Sequence, residues 1–176
     1  MPEGLHRVFF AVWPDAPAAR AFHDAAQEAR QACGGRRMRR ETLHLTLAFL
    51  GDVPAQRIDA ARRAADGIAA ASFPLTIDRL GFWPRNRILW AGGDAPALTA
   101  LADALGERLR AAGFRLEDRP FAAHVTLLRD ADCASAPPLA RTVEWKVPEF
   151  VLAESKRSAE GAGYEIIGRW PLTPES

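Results

Sequence analysis

The tetrapeptide His44-Leu45-Thr46-Leu47 returns as His124-Val125-Thr126-Leu127, 80 positions later in a 176-residue chain that contains only four histidines. Along extended backbone, successive side chains point to opposite faces. His44 and Thr46 therefore share one face, with Leu43, Leu45 and Leu47 on the other. The second copy sorts the same way, with His124 and Thr126 set against Ala123, Val125 and Leu127. Each copy reads as a strand with an apolar side to bury and a polar side that presents one imidazole and one hydroxyl. A fold built on two such strands buries the apolar sides and leaves the polar sides to flank a shared cleft.

The surrounding pattern supplies helices to match. Arg7 to Trp13 is a β-rich run stopped by Pro14, and Asp15 then offers an N-cap to an Ala-rich helix that Gly34-Gly35 ends. Leu43 to Leu50 reads as a strand. From Pro54 to about Ala71 a second helix carries Ile58, Ala61, Ala65 and Ile68 on one face. Phe73 to Trp83 and Arg87 to Ala91 read as strands joined by the turn Pro84-Arg85-Asn86. Asp94 is placed to cap a third helix with Pro96 in its first turn and Leu98, Leu101, Leu105 and Leu109 as its buried stripe. Phe121 to Leu128 is a strand, and Phe150–Lys156 with Tyr164–Trp170 forms a C-terminal hairpin across Ser158–Gly163. The expectation is an α+β fold: two pseudo-symmetric strand–helix–strand lobes, with antiparallel sheets flanking a central cleft, in one bilobal domain over residues 1–176.

Composition narrows the partners. A net charge of +1 is unlike a protein that grips long duplex nucleic acid through many phosphates, so any nucleic acid is met locally, at an end or at one phosphate. Cys33 and Cys133 show neither C-x-x-C spacing nor a zinc-type cluster, and no stretch approaches the length of a membrane span. The start, Met1 to Val12, has no signal-peptide pattern. These features predict a reduced, cytoplasmic, soluble protein without a structural metal; a monomer that needs no cofactor is the accompanying expectation.

Two histidines across a cleft have reference pKa values near 6.5, so near neutrality one is available as an acid and the other as a base. That is general acid–base catalysis, in which each group typically contributes about 10²–10⁴ in rate. The hydroxyls of Thr46 and Thr126 are suited to the non-bridging oxygens of a phosphate ester, where charge changes during reaction.

The chain resembles the 2H phosphoesterase superfamily, and within it the bacterial RNA 2′,3′-cyclic phosphodiesterases also called 2′-5′ RNA ligases. The resemblance rests on both H-x-T motifs and on Arg7-Val8-Phe9-Phe10-Ala11-Val12, Ala48-Phe49-Leu50-Gly51 and Arg87-Ile88-Leu89-Trp90-Ala91-Gly92. Arg119-Pro120-Phe121, Leu128-Arg129, Ser155, Gly163-Tyr164 and Trp170-Pro171-Leu172 extend it to the end of the chain. It implies hydrolysis of a 2′,3′-cyclic phosphate, at RNA 3′ ends or on cyclic nucleotides, to a 2′-phosphate. It also implies that His44 protonates the leaving 3′ oxygen, that His124 deprotonates the attacking water, and that Arg129 joins Thr46 and Thr126 at the phosphate. Strict alternation from His124 points Arg129 away from the cleft, so that role requires the strand to end or bulge near Leu128.

Further candidates for RNA contact are the basic run Arg36, Arg37, Arg39 and Arg40 ahead of the first motif, and the aromatics Phe9, Phe10, Phe49 and Trp83 as stacking surfaces. Solvated loop positions and core packing are the competing readings for these residues. Two other functions use the same residues: ligation to a 2′-5′ linkage by the reverse reaction, and non-catalytic binding of RNA or nucleotides.

Overall fold

The computed structural model describes residues 4–158 and 161–174. The opening run forms β1 (Leu5–Val12), whose alternating Val8, Phe10 and Val12 enter the main core while Phe9 and Ala11 face the other way. β1 lies between β3 (Leu45–Pro54) and β9 (Glu149–Ser158), and β10 (Gly161–Pro171) closes a four-stranded sheet in the order β10-β9-β1-β3. The hairpin expected from β9 to β10 forms, and its connection at positions 159 and 160 lies outside the described residues. The second motif lies in β7 (His124–Arg129), within a sheet ordered β2-β7-β6-β5 with β2 (Arg36–Arg37), β6 (Ile88–Gly92) and β5 (Arg79–Trp83). A separate ribbon pairs β4 (Phe73–Ile77) with β8 (Val143–Val147). Every pairing between these strands is antiparallel.

The helices cross between the halves. α1 (Ala16–Cys33) follows β1 yet packs on β7, β2 and β8, whereas α2 (Ala55–Asp66) and α3 (Pro96–Ala111) pack on β3 and on each other. This exchange welds the two sheets through one core, in which Phe22, Leu98, Leu105, Leu109 and Leu127 are fully enclosed. α1 starts where expected: the Asp15 side chain accepts a hydrogen bond from the Ala18 N–H at 2.9 Å, satisfying one orphan donor of the first turn.

Four expectations need correction. The predicted strand Phe73–Trp83 is two strands broken at Asp78, because β4 leaves to pair with β8, a strand that the sequence reading missed. The second helix ends at Asp66. Asp94 does not cap α3; its carboxylate pairs with Arg79 at 2.7 Å, and Ala95 occupies the cap position. Cys33 and Cys133, expected to be reduced, form a disulfide that closes a sequence separation of 100 residues. It ties the end of α1 to the segment just past β7, and the Asp132 N–H donates to the Cys33 carbonyl beside it at 2.8 Å. No helix is long and apolar enough to cross a membrane, among the described residues.

Candidate active site

Both motif strands carry the same irregularity. In β3, Phe10 pairs with Ala48 and Ala11 with Thr46, so Leu47 is left without a partner. In β7, Leu89 of β6 pairs with Leu128 and Trp90 with Thr126, so Leu127 is skipped. Each bulge falls on the residue after the threonine. A bulge inserts one residue and restarts the alternation one step out of phase. Leu47 and Ala48 are accordingly both buried, as are Leu127 and Leu128. The residue five places beyond each histidine then returns to the polar face: Phe49 on one strand and Arg129 on the other. This resolves the geometric conflict over Arg129, which lines the cleft with the two histidines.

The cleft encloses about 350 Å³ between the two sheets. His44, Thr46 and Phe49 line one wall; His124, Thr126 and Arg129 line the facing one. His44 donates from Nδ1 to the carbonyl of Thr42 at 2.8 Å, and His124 donates from Nδ1 to the carbonyl of Ala122 at 2.9 Å. In each case the acceptor lies two residues upstream. A backbone carbonyl on Nδ1 fixes the neutral tautomer with Nε2 unprotonated, which leaves both Nε2 atoms for the cleft. The Thr46 hydroxyl donates to His44 Nε2 at 3.1 Å, holding that lone pair until a ligand arrives.

The two imidazoles are set in different surroundings. His44 lies against three aromatic rings: Trp13 stacked at 4.9 Å, Phe9 at 5.0 Å and Tyr164 edge-on at 5.1 Å. Trp13 is itself tethered by its indole N–H, which donates to the Glu41 carbonyl at 3.0 Å. Burial among these rings lowers the His44 pKa from 6.5 to about 4; the Thr42 hydrogen bond opposes the shift, and the charges of His124 and Arg129 add to it. Burial also raises the Tyr164 phenol, against the pull of Arg129. Among the described residues, His124 meets one ring, Trp83, in an edge contact at 4.8 Å.

The sequence candidates divide clearly. Phe49 is 42% exposed and lines the cleft, with the Arg7 guanidinium 4.8 Å over its ring. Phe10 is 0% exposed, packed on Phe150 and Trp170 in the core, which removes it as a base contact. Phe9 forms the floor under His44. None of Arg36, Arg37, Arg39 and Arg40 lines the cleft. Arg36 pairs with Asp130 at 2.9 Å and holds that carboxyl below its usual pKa; Arg37 approaches His23, and Arg39 pairs with Glu41. Arg36 and Arg37 instead form β2 against Arg129 and Leu128, so the basic run buttresses the end of β7. Gly35 makes that approach possible: its φ is +88°, and a Cβ there would meet the Arg129 carbonyl at 2.6 Å.

Trp13, Arg7, Met38, Ser155 and Tyr164 also shape the site, and the two motifs did not single them out. Ser155 and Tyr164 are cross-strand partners, so knowing the β9–β10 register would have identified them together. Among the described residues, no group of three or more His, Cys, Asp or Glu side chains is disposed to hold a metal ion.

Two imidazoles facing one cavity with paired threonines and an arginine define the class, a two-histidine phosphoesterase. Residues 12–90 and 93–164 match the model of the LigT-like phosphoesterases, and the chain belongs to that family. The RNA 2′,3′-cyclic phosphodiesterase of Escherichia coli K12 is 36% identical over 95% of this chain and 97% of its own length. The crystal structure of E. coli LigT complexed with 3′-AMP superposes with a TM-score of 0.88 at 34% identity, covering 96% of this chain and 99% of that one. The Thermus thermophilus protein TT0787 has a TM-score of 0.83 at 26% identity, covering 97% of this chain and all of its own (100%). The α+β architecture of antiparallel sheets expected from the sequence is that of these relatives.

Proposed function

We propose that this protein, acting as a single bilobal monomer, hydrolyses the 2′,3′-cyclic phosphate at RNA 3′ ends to a 2′-phosphate without a metal ion. The observation that carries the reading is the presentation of two Nε2 atoms, each oriented by a backbone carbonyl, to one cavity that also holds Thr46, Thr126 and Arg129. His124 removes a proton from water as the water oxygen bonds to phosphorus. The bond from phosphorus to the 3′ oxygen breaks, and His44 gives that oxygen its proton. Thr46 and Thr126 hydrogen-bond the non-bridging oxygens, and Arg129 balances their charge. The proposed setting is the cytoplasm, where the Cys33–Cys133 bond is open to reduction.

His44 is neutral in the empty site, so its role as acid requires protonation on binding. The phosphate supplies the means. An anion about 4 Å from an imidazolium contributes about 4 kcal/mol at an effective dielectric near 20, or about three pKa units. That returns His44 to the neutral range only while substrate is bound.

The test is turnover of adenosine 2′,3′-cyclic phosphate and of cyclic-phosphate-ended RNA in EDTA, with the product phosphate located on the 2′ oxygen. Loss of turnover in EDTA, or a 3′-phosphate product, would overturn the proposal.

A further inference from the structure

A second cavity, of about 420 Å³, lies beyond the aromatic wall that shields His44. Trp13 covers His44 on one side and lines this cavity, while Tyr164 lines both spaces. Its remaining apolar surface comes from Pro14, Trp145, Pro148, Val151 and Ile166. The two hollows are thus neighbours across a single ring, and the outer one has the size of an ordinary small-molecule site. A ring stacked on the outer side of Trp13 lies about two stacking distances from His44, roughly 9–10 Å. The terminal ribose, its 5′ phosphodiester and the preceding ribose lie between the cyclic phosphate and that base, and a linker of that length reaches across the distance.

We propose that this cavity receives the base of the nucleoside preceding the terminal one, so that the site favours an RNA end over a mononucleotide. The inference rests on the function proposed above and concerns what that site selects. Charge favours a base over a further phosphate. Three carboxylates, Asp15, Glu41 and Glu149, face two cations, Lys146 and Arg169, and Arg169 is already paired with Glu149 at 2.6 Å. Carboxylates repel an anion and accept from the exocyclic amino groups of adenine, cytosine or guanine. Single-stranded RNA bases splay apart and stack on aromatic side chains in this manner. A cyclic phosphate occurs at a 3′ end, so the only neighbouring nucleoside is on its 5′ side.

The experiment compares adenosine 2′,3′-cyclic phosphate with the dinucleotide ApA bearing the same terminal group. Base–aromatic stacking predicts a kcat/KM advantage for the dinucleotide of roughly five- to hundred-fold. Ile166→Trp fills the cavity, and the dinucleotide-to-mononucleotide ratio should fall to near one. Binding of the two 2′-phosphate products by calorimetry on wild-type protein gives the same ratio without turnover. It reads the cavity even if the proposed hydrolysis fails or the variant does not fold. Equal kcat/KM for both substrates together with equal product affinity would overturn the proposal, as would an advantage that survives in folded Ile166→Trp.

Discussion

Filling the cleft with the product analogue adenosine 2′-phosphate should raise the His44 pKa by two to three units. The starting point is structural: burial against Trp13, Phe9 and Tyr164 holds the imidazole at about 4 in the empty protein. At pH 7 only about one His44 in a thousand is then protonated, since each pKa unit is a factor of ten. A phosphate anion beside Nε2 offsets burial by about 4 kcal/mol at 4 Å, and sharing that charge with Arg129 trims the gain. The bound value comes to roughly 6–7. Titration of the His44 ring by NMR with and without the analogue measures this directly. The kinetic counterpart is a split between profiles: kcat/KM reports the empty enzyme and should carry a group near 4, whereas kcat reports the complex and should carry it near neutrality. If His44 already titrates near 6.5 in the empty protein, or moves by less than about half a unit on binding, the proposed coupling of protonation to phosphate is wrong.

Trp13→Leu should raise the pKa of empty His44 toward 6.5 by admitting water, and Trp13→Phe should keep most of the depression; both are read by the same titration. His44→Ala and His124→Ala should each lower kcat by about 10²–10⁴ with the circular dichroism spectrum preserved, because each removes one partner of the proposed proton transfer; Tm should hold for His124 and fall somewhat for His44, which packs on three rings. Gly35→Ala should impair activity through Arg129, since the added methyl displaces the carbonyl that β2 packs against; a loss resembling that of Arg129→Ala, with stability reduced as well, is expected. Reducing the Cys33–Cys133 bond, or Cys33→Ser, should lower stability to denaturant by about 2–4 kcal/mol, as closure of a long loop predicts.

Stability should also respond to acid with a definite sign. The folded His44 pKa lies below its unfolded value, so the unfolded chain binds the extra proton between about pH 6.5 and 4. The contribution of this group is therefore complete above pH 6.5 and is lost as pH falls toward 4, by up to about 3 kcal/mol.

What the sequence made legible follows from period and pairing. A two-residue alternation around a duplicated motif was enough to place His44, Thr46, His124 and Thr126 on facing walls, because local backbone geometry alone sets those directions. The leucine stripe of α3 was legible for the same reason. The rest depends on contacts distant in sequence. β8 was legible in the alternation of Val143, Trp145 and Val147 against Glu144 and Lys146, and the reading passed over it; only its partner, 70 residues upstream across a long loop, had no local signal. Trp13 looked like the end of a strand; its meaning comes from the short turn at Arg40–Thr42, which brings the Glu41 carbonyl to its indole. The cysteines gave no motif, and only the crossing of α1 onto β7 brings them together.

The paired bulges give two like strands different residues at the cleft. Without them, Phe49 and Arg129 would turn into the core, where an arginine would bury an unpaired charge at a cost of several kcal/mol. With them, both strands gain one more position on the cleft, and the sequence uses those positions differently. Arg129 adds a permanent cation to the cleft that Thr46 and Thr126 line, while exposed Phe49, backed by Arg7, adds a flat apolar surface. The same asymmetry extends to the histidines, one boxed by three rings and the other touching one. A symmetric pair of imidazoles offers no reason for the proton to reside on either. Burying one of them makes its protonation conditional on an anion in the cleft, and in the proposed reaction the acid role falls to the histidine that the anion itself charges.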